Sequence, residues 1–241
     1  MSNREKMEYD VVIVGGGPSG LATAIKLKQL SKEKNKDISV CILEKGSEIG
    51  SHILSGAVIE TKSLSELIPN WKETDIPLKT KAIKDSFLFL TKETSFKLPT
   101  PPQMKNHGNY IISLGKLCSW LGQYAENLGV EIYPGFAASE ILFNSDGSVS
   151  GVATNDMGIL KDGNKGPNYE PGIELLAKQT IFSEGCRGHL GKILMNQFNL
   201  NKNNQGQTYA IGIKELWEID PKNHHAGEIV HTTGWPLKSD T

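Results

Sequence analysis

The stretch VVIVGGGPSG, beginning at Val11, constrains this chain more than any other. Three adjacent glycines, then Pro18, Ser19 and Gly20, directly follow a run of β-branched residues. The spacing is Gly15-x-Gly17-x-x-Gly20, behind a predicted strand (YDVVIVGGG) and at the head of a predicted helix (PSGLATAIKLKQLSKEKN). A second apolar strand, ISVCILEK, comes next and carries the acid Glu44 near its end. Continuous apolar strands joined by a helix predict a parallel sheet covered on both faces. In a dinucleotide-binding fold each glycine then has its own duty. Gly15 makes the tight turn, Gly17 lacks the Cβ that would keep a pyrophosphate off the main chain, and Gly20 lets the helix pack on the strand. The helix N-terminus offers unpaired N–H groups and the positive end of its dipole. Glu44 can accept hydrogen bonds from ribose hydroxyls. Its charge repels a 2′-phosphate, which disfavours NADP and leaves FAD and NAD.

With 241 residues, 38% apolar and 22% charged, the chain can bury a substantial core. A net charge of -1 argues against nucleic acid, which needs a strongly basic face. No apolar run approaches the length of a membrane-spanning helix. The opening MSNREKMEYD has no apolar region of a signal peptide and is too acidic for a transit peptide, so the first strand is expected almost at the start. Cys41, Cys118 and Cys186 are far apart, without the close spacing of a zinc or iron–sulfur site; no metal ligand is assigned. Cys41 and Cys118 fall on apolar elements and read as small core residues.

Further along, SLSELIPNWKE reads as a short helix stopped near Pro69, and SFLFLTKETSFKLPTPPQ as a strand pair ending in prolines. SLGKLCSWLGQYAENLG is an amphipathic helix whose stripe is Leu117, Trp120, Leu121, Tyr124, Ala125 and Leu128, with Gly129 just past its end. VEIYPGFAASEILFNSDGSVSGVATND alternates about SDGS, a hairpin signal, and IELLAKQTIFSEG supplies another strand. QTYAIGIKELWEID and GEIVHTTGWP read as two strands of a different sheet. The neighbours Ser183, Glu184 and His189 have no triad spacing, and His224–His225 have no further close ligand, so no acid, base or nucleophile is assigned.

The motif alone does not choose between FAD and NAD. The strings LEKGSEIGSHILSGAVI, PQMKNHGNYI, SWLGQYAENLGVEIYPGFAASEILFNSDGSVSGVATNDMGI, TIFSEGCRGHLGKIL, QTYAIGIKELWEID and HTTGWPL together resemble the electron-transfer flavoprotein:ubiquinone oxidoreductase family. That family belongs to the glutathione-reductase-like flavoproteins, beside FixC-type dehydrogenases, geranylgeranyl reductases and FAD monooxygenases. The resemblance implies an α/β fold: a Rossmann-like FAD-binding domain with parallel sheet and β-meander, plus the start of a β-rich quinone or substrate domain. It divides the chain into residues 1–75 and 110–195 as the two parts of the FAD domain, 76–109 as an insertion near quinone and membrane, and 196–241 as the opening of the quinone domain.

The same resemblance implies FAD and a [4Fe–4S] cluster as cofactors. It implies electrons taken from reduced electron-transfer flavoprotein and passed to ubiquinone, and peripheral attachment to the inner membrane, on the cytoplasmic or matrix face. Carried onto this sequence, the pyrophosphate lies on Gly15, Gly17, Pro18, Ser19 and Gly20, with Glu44 at the adenosine ribose and Lys45 beside it. Ser55, Gly56 and Ala57 fall in a loop near the flavin, Ala138 neighbours the adenine, and Glu184 and Gly185 end the strand returning to the pyrophosphate. Three departures stand out. Ser113 occupies a position where relatives carry an arginine, the Pro-rich stretch is polar, with Lys97 and Lys105, and neither a Gly-Asp pair nor four clustered cysteines occur. The chain is therefore expected to be an N-terminal portion that retains FAD weakly. A related flavoenzyme, or a non-catalytic nucleotide-binding module, is the other reading of the same residues.

Overall fold

The computed structural model describes residues 4–54, 56–202, 204–206 and 208–237. Along the chain run β1 (Lys6–Val14), α1 (Pro18–Glu33), β2 (Val40–Glu44), β3 (Ala57–Ile59), α2 (Lys62–Leu67), β4 (Thr80–Lys81), β5 (Lys84–Leu90), β6 (Ser95–Leu98) and β7 (Tyr110–Ile112). There follow α3 (Leu114–Asn127), β8 (Glu131–Pro134), β9 (Ala138–Phe143), β10 (Val149–Thr154), β11 (Met157–Ile159), β12 (Lys165–Glu170), β13 (Glu174–Phe182), α4 (His189–Gln197) and β14 (Glu228–Gly234). The chain forms two compact units, one of residues up to Ile53 with Cys118–Ile211, the other of Leu54–Leu117 with the residues from Gly212 onward.

The first unit is built on a six-stranded sheet in the order β8-β2-β1-β13-β10-β9. The strands β8, β2, β1 and β13 are parallel, and β10 and β9 continue the sheet antiparallel. This is the predicted parallel sheet with its meander. Val12, Ile13, Val40, Cys41 and Ile42 are almost wholly buried, as central strands covered on both faces require. Helix α1 buries Leu21, Ala24 and Ile25, while Leu27 is half-buried. Helix α3 ends in a Schellman turn: Gly129 takes φ +84°, its N–H donates to Glu126, and the Val130 N–H donates to Ala125. The SDGS turn closes the β9–β10 hairpin, where the Asp146 carboxylate accepts from the Ser148 N–H at 2.9 Å. Burial pushes the Cys41 thiol up to about 12, so this cysteine is an inert core residue.

The second unit carries two three-stranded sheets, β3-β7-β4 and β14-β5-β6. The predicted pair β5–β6 is an antiparallel hairpin, and β14 lies parallel to β5. Of the two tail strands expected, only the second forms. Residues 208–220 contain no strand, and Ile211 and Leu216 are 97% and 101% exposed. Alternation of apolar and polar residues gives a stretch two distinct faces, but a strand also needs a ladder partner, and none is present for it among the described residues.

Asp85 on β5 organises the Pro-rich stretch of this unit. Its Oδ2 accepts from the Asn106 backbone N–H and its Oδ1 from the Asn106 amide, both at 2.8 Å. His231 on β14 places Nε2 3.2 Å from the Met104 carbonyl and 3.7 Å from Asp85 Oδ1. Burial raises the Asp85 carboxyl, but the two Asn106 bonds and His231 outweigh it and hold the group below the usual carboxylate range. A depressed folded value means that the stabilisation is present above the unfolded value, near ~3.9, and is lost as pH falls through the folded one. Asp85→Ala is expected to cost about 1–3 kcal/mol near neutral pH, because the Asn106 N–H loses its partner. In urea melts from pH 6 to pH 2 the gap between variant and wild type should close at the acid end. A gap independent of pH would assign the loss to packing instead.

Candidate nucleotide site

An open cleft of about 720 Å³ lies at the carboxyl ends of β1, β2 and β13, within the first unit. That volume is within the ordinary range for a small-molecule site, and carboxyl ends of parallel strands are where open α/β sheets bind ligands. Its floor is the turn from β1 into α1. Gly15 takes φ +107°, and a Cβ there would stand 2.4 Å from the Ser183 carbonyl oxygen. A Cβ on Gly20 would stand 2.1 Å from the Gly15 carbonyl oxygen, so the helix approaches the strand closely there. Gly17 is the opposite case: nothing lies within 4 Å of a Cβ built on it. The bare main chain at Gly17 therefore faces open space.

Helix α1 has Gly17 as N-cap and Pro18 at its first position, no side-chain cap and no acid in its first turn. An uncapped helix start beside open space is an anion seat, since its amides and its partial positive charge lack an internal partner. Glu44 sits at the cleft with both carboxylate oxygens engaged: Oε2 accepts from the Gly16 N–H at 2.9 Å and Oε1 from the Gly46 N–H at 2.7 Å. Each oxygen keeps a second lone pair for a sugar hydroxyl. Thus Glu44 also fixes the turn that it borders.

The cleft brings together Gly15, Gly17, Pro18, Ser19, Glu44, Lys45, Ala138, Glu184 and Gly185 among the residues singled out in the sequence. Gly20 lies beneath, buried between helix and strand. Gly56 and Ala57 belong to the second unit and do not line the cleft; the Gly56 carbonyl accepts from Lys214 Nζ, and Ala57 pairs with Ile112 in β3–β7. Ser55 lies outside the described residues. Glu184 turns its carboxylate to the start of α4, accepting from the Gly191 N–H at 2.7 Å and the Leu190 N–H at 3.3 Å. Of the two helix starts at the cleft, α4 is thus occupied by the protein's own acid, and α1 is left for a ligand. Ser113 also has a local duty, its hydroxyl accepting from the Lys116 N–H at 3.4 Å at the head of α3.

His52, Ile53, Arg187 and His189 also line the cleft and carry no periodic signal in the sequence. A glycine-flanked arginine just after a returning strand, as in EGCRG, was the available hint for Arg187.

Fold and cleft together define a Rossmann-type dinucleotide-binding protein. A family model described as an NAD(P)-binding Rossmann-like domain matches residues 13–70. Among solved structures the chain is similar to FqzB, with TM-score 0.54 and 21% identity over 78% of this chain and 39% of that one. A flavin-dependent brominase matches with TM-score 0.52 and 14% identity over 80% of this chain and 41% of its own. At such identities these two share the fold alone.

The sequence comparisons are more specific. A model described as "ETF-QO, ubiquinone-binding" matches residues 209–241. The mitochondrial electron transfer flavoprotein-ubiquinone oxidoreductase of Dictyostelium discoideum is 57% identical over 237 residues, 98% of this chain and 39% of that protein. The human one is 54% identical over 236 residues, and the probable one of Acinetobacter baylyi 57% over 239. Over nearly its whole length the chain is thus similar to electron transfer flavoprotein-ubiquinone oxidoreductases. It spans 39% of the length of the Dictyostelium relative and 42% of the Acinetobacter one.

Proposed function

We propose that the cleft holds the ADP half of FAD and that the chain serves an oxidoreductase carrying electrons from reduced electron-transfer flavoprotein to ubiquinone. The observation that carries this reading is the open space over Gly17 at the uncapped start of α1, in a chain with the relatives just described. The residues present fit the cofactor. Gly15, Gly17, Pro18 and Ser19 cradle the diphosphate, Glu44 receives the adenosine ribose with Lys45 beside it, Ala138 borders the adenine, and Glu184 and Gly185 close the strand end opposite. The isoalloxazine ring supplies the redox chemistry, and the protein binds and orients it. The [4Fe–4S] cluster of this reading belongs to the longer protein, since Cys41, Cys118 and Cys186 are all free and the first two are buried. In this reading the residues from 209 onward contribute to the quinone side.

Attachment to the membrane is peripheral in this reading, at the inner membrane, on its cytoplasmic or matrix face. No helix among the described residues is long and apolar enough to cross a membrane. The cross-strand pair Phe89 and Phe96, 42% and 56% exposed, supports a shallow apolar contact.

Titration with FAD, NAD and ADP tests the reading, followed by flavin fluorescence or calorimetry. FAD and ADP should compete for one site, NAD should bind more weakly than FAD, and NADP should not bind. Absence of both FAD and ADP binding overturns it, and a preference for NAD over FAD redirects it to a nicotinamide enzyme.

A further inference from the structure

A dinucleotide's diphosphate brings two negative charges to the α1 turn, whereas a helix start offers only about half a positive charge. The charged side chains lining the cleft are Glu44, Lys45, Glu184 and Arg187. Both carboxylates are already held by backbone N–H groups, those of Gly16 and Gly46 for Glu44 and those of Leu190 and Gly191 for Glu184. Neither is therefore the partner of Arg187, and among the described residues no carboxylate forms an ion pair with it. Arg187 stands on the short link between β13 and α4, between Gly185 (φ +79°) and Gly188. Its guanidinium lies 5.0 Å from the centre of the Tyr209 ring. Stacking on an aromatic face limits how a guanidinium can turn and leaves its edge N–H groups free to bind two phosphate oxygens at once. Lys45, a single point charge, offers no such paired contact.

We infer that Arg187 is the counter-cation of the dinucleotide diphosphate, and that Tyr209 is its positioning residue. The inference rests on the nucleotide reading above and goes beyond it, because the glycine motif and the acid on β2 account for the turn and the sugar but not for the remaining charge. Tyr209 is also the first residue matched by the ubiquinone-binding family model. The stack therefore ties the nucleotide cleft to the start of that segment.

The test compares ADP with adenosine, which shares the base and sugar but has no phosphate. Affinities are measured by calorimetry, or by ligand-observed NMR where binding is weak. Arg187→Gln is expected to weaken ADP by about tenfold to a hundredfold, the loss of a charge-assisted bond, and to leave adenosine unchanged. It should also flatten the dependence of ADP binding on salt. Arg187→Lys keeps the charge and should lose less. Tyr209→Leu should weaken ADP by a smaller factor than Arg187→Gln, again without effect on adenosine. Equal losses for ADP and adenosine, or no loss for ADP in a folded Arg187→Gln protein, overturn the inference while the nucleotide site stands. A wild-type protein that binds neither ADP nor FAD brings down the nucleotide reading itself, and the role of Arg187 with it.

Discussion

Gly17→Val is expected to lower ADP affinity by at least about a hundredfold and to move the thermal midpoint by only a few degrees. The backbone at Gly17 has φ -80° and ψ -179°, extended geometry that any residue adopts. Nothing lies within 4 Å of the Cβ position, so a side chain starts out into open space there. Valine is a poorer N-cap than glycine, which costs about 1 kcal/mol and corresponds to roughly 2–4 °C for a chain of this size. The penalty falls on the ligand instead, since the branched side chain fills the volume that a diphosphate needs against the main chain. Calorimetric titration and a melting curve on one sample measure both quantities. Unchanged ADP binding in a folded Gly17→Val protein would remove the diphosphate from this turn.

Gly15→Val should do the reverse, unfolding the first unit rather than merely emptying its cleft. Residue 15 holds φ +107°, which a β-branched residue tolerates badly, and its Cβ would stand 2.4 Å from the Ser183 carbonyl oxygen on the neighbouring strand. Strain and overpacking together cost about 3–5 kcal/mol, a large share of the 5–15 kcal/mol that a domain usually possesses. The two backbones are held close at this point, since the Ser183 N–H donates to the Val14 carbonyl at 2.7 Å and the Gly15 N–H to the Leu43 carbonyl at 2.8 Å. A loss of near-ultraviolet dichroism, or a urea midpoint shifted far downward, is the expected result. A variant with wild-type stability would mean that β1 and β13 do not converge as closely at this point.

The contrast between these two glycines explains what was legible in the sequence. The β1–α1–β2 unit could be read because buried parallel strands are continuously apolar, and the spacing of Gly15, Gly17 and Gly20 admits few other turns. Helix α3 and Gly129 were legible by periodicity and by the chemistry of a helix end. The tail was not. Residues 208–220 alternate as a strand would, yet pairing is a property of two segments, and sequence pattern reports on only one. The pairing of β14 with β5, over a separation of about 140 residues, is equally invisible to a local reading. At the site, the sequence located Glu184 near the cleft but not the direction of its carboxylate, which follows from where α4 begins. Arg187 and His52 sit on links without repeating pattern and His189 opens α4, so only the assembled strand ends bring them together.

The exposed run from Tyr209 to Ile219 has a consequence for how this protein behaves in a tube. Its aliphatic side chains meet solvent, and among the described residues no ladder claims its amides and carbonyls, which is the arrangement that invites strand addition between two molecules. Light scattering at rising concentration is expected to show self-association through this run. Ile211→Lys or Ile213→Lys should reduce it and leave ADP binding unchanged.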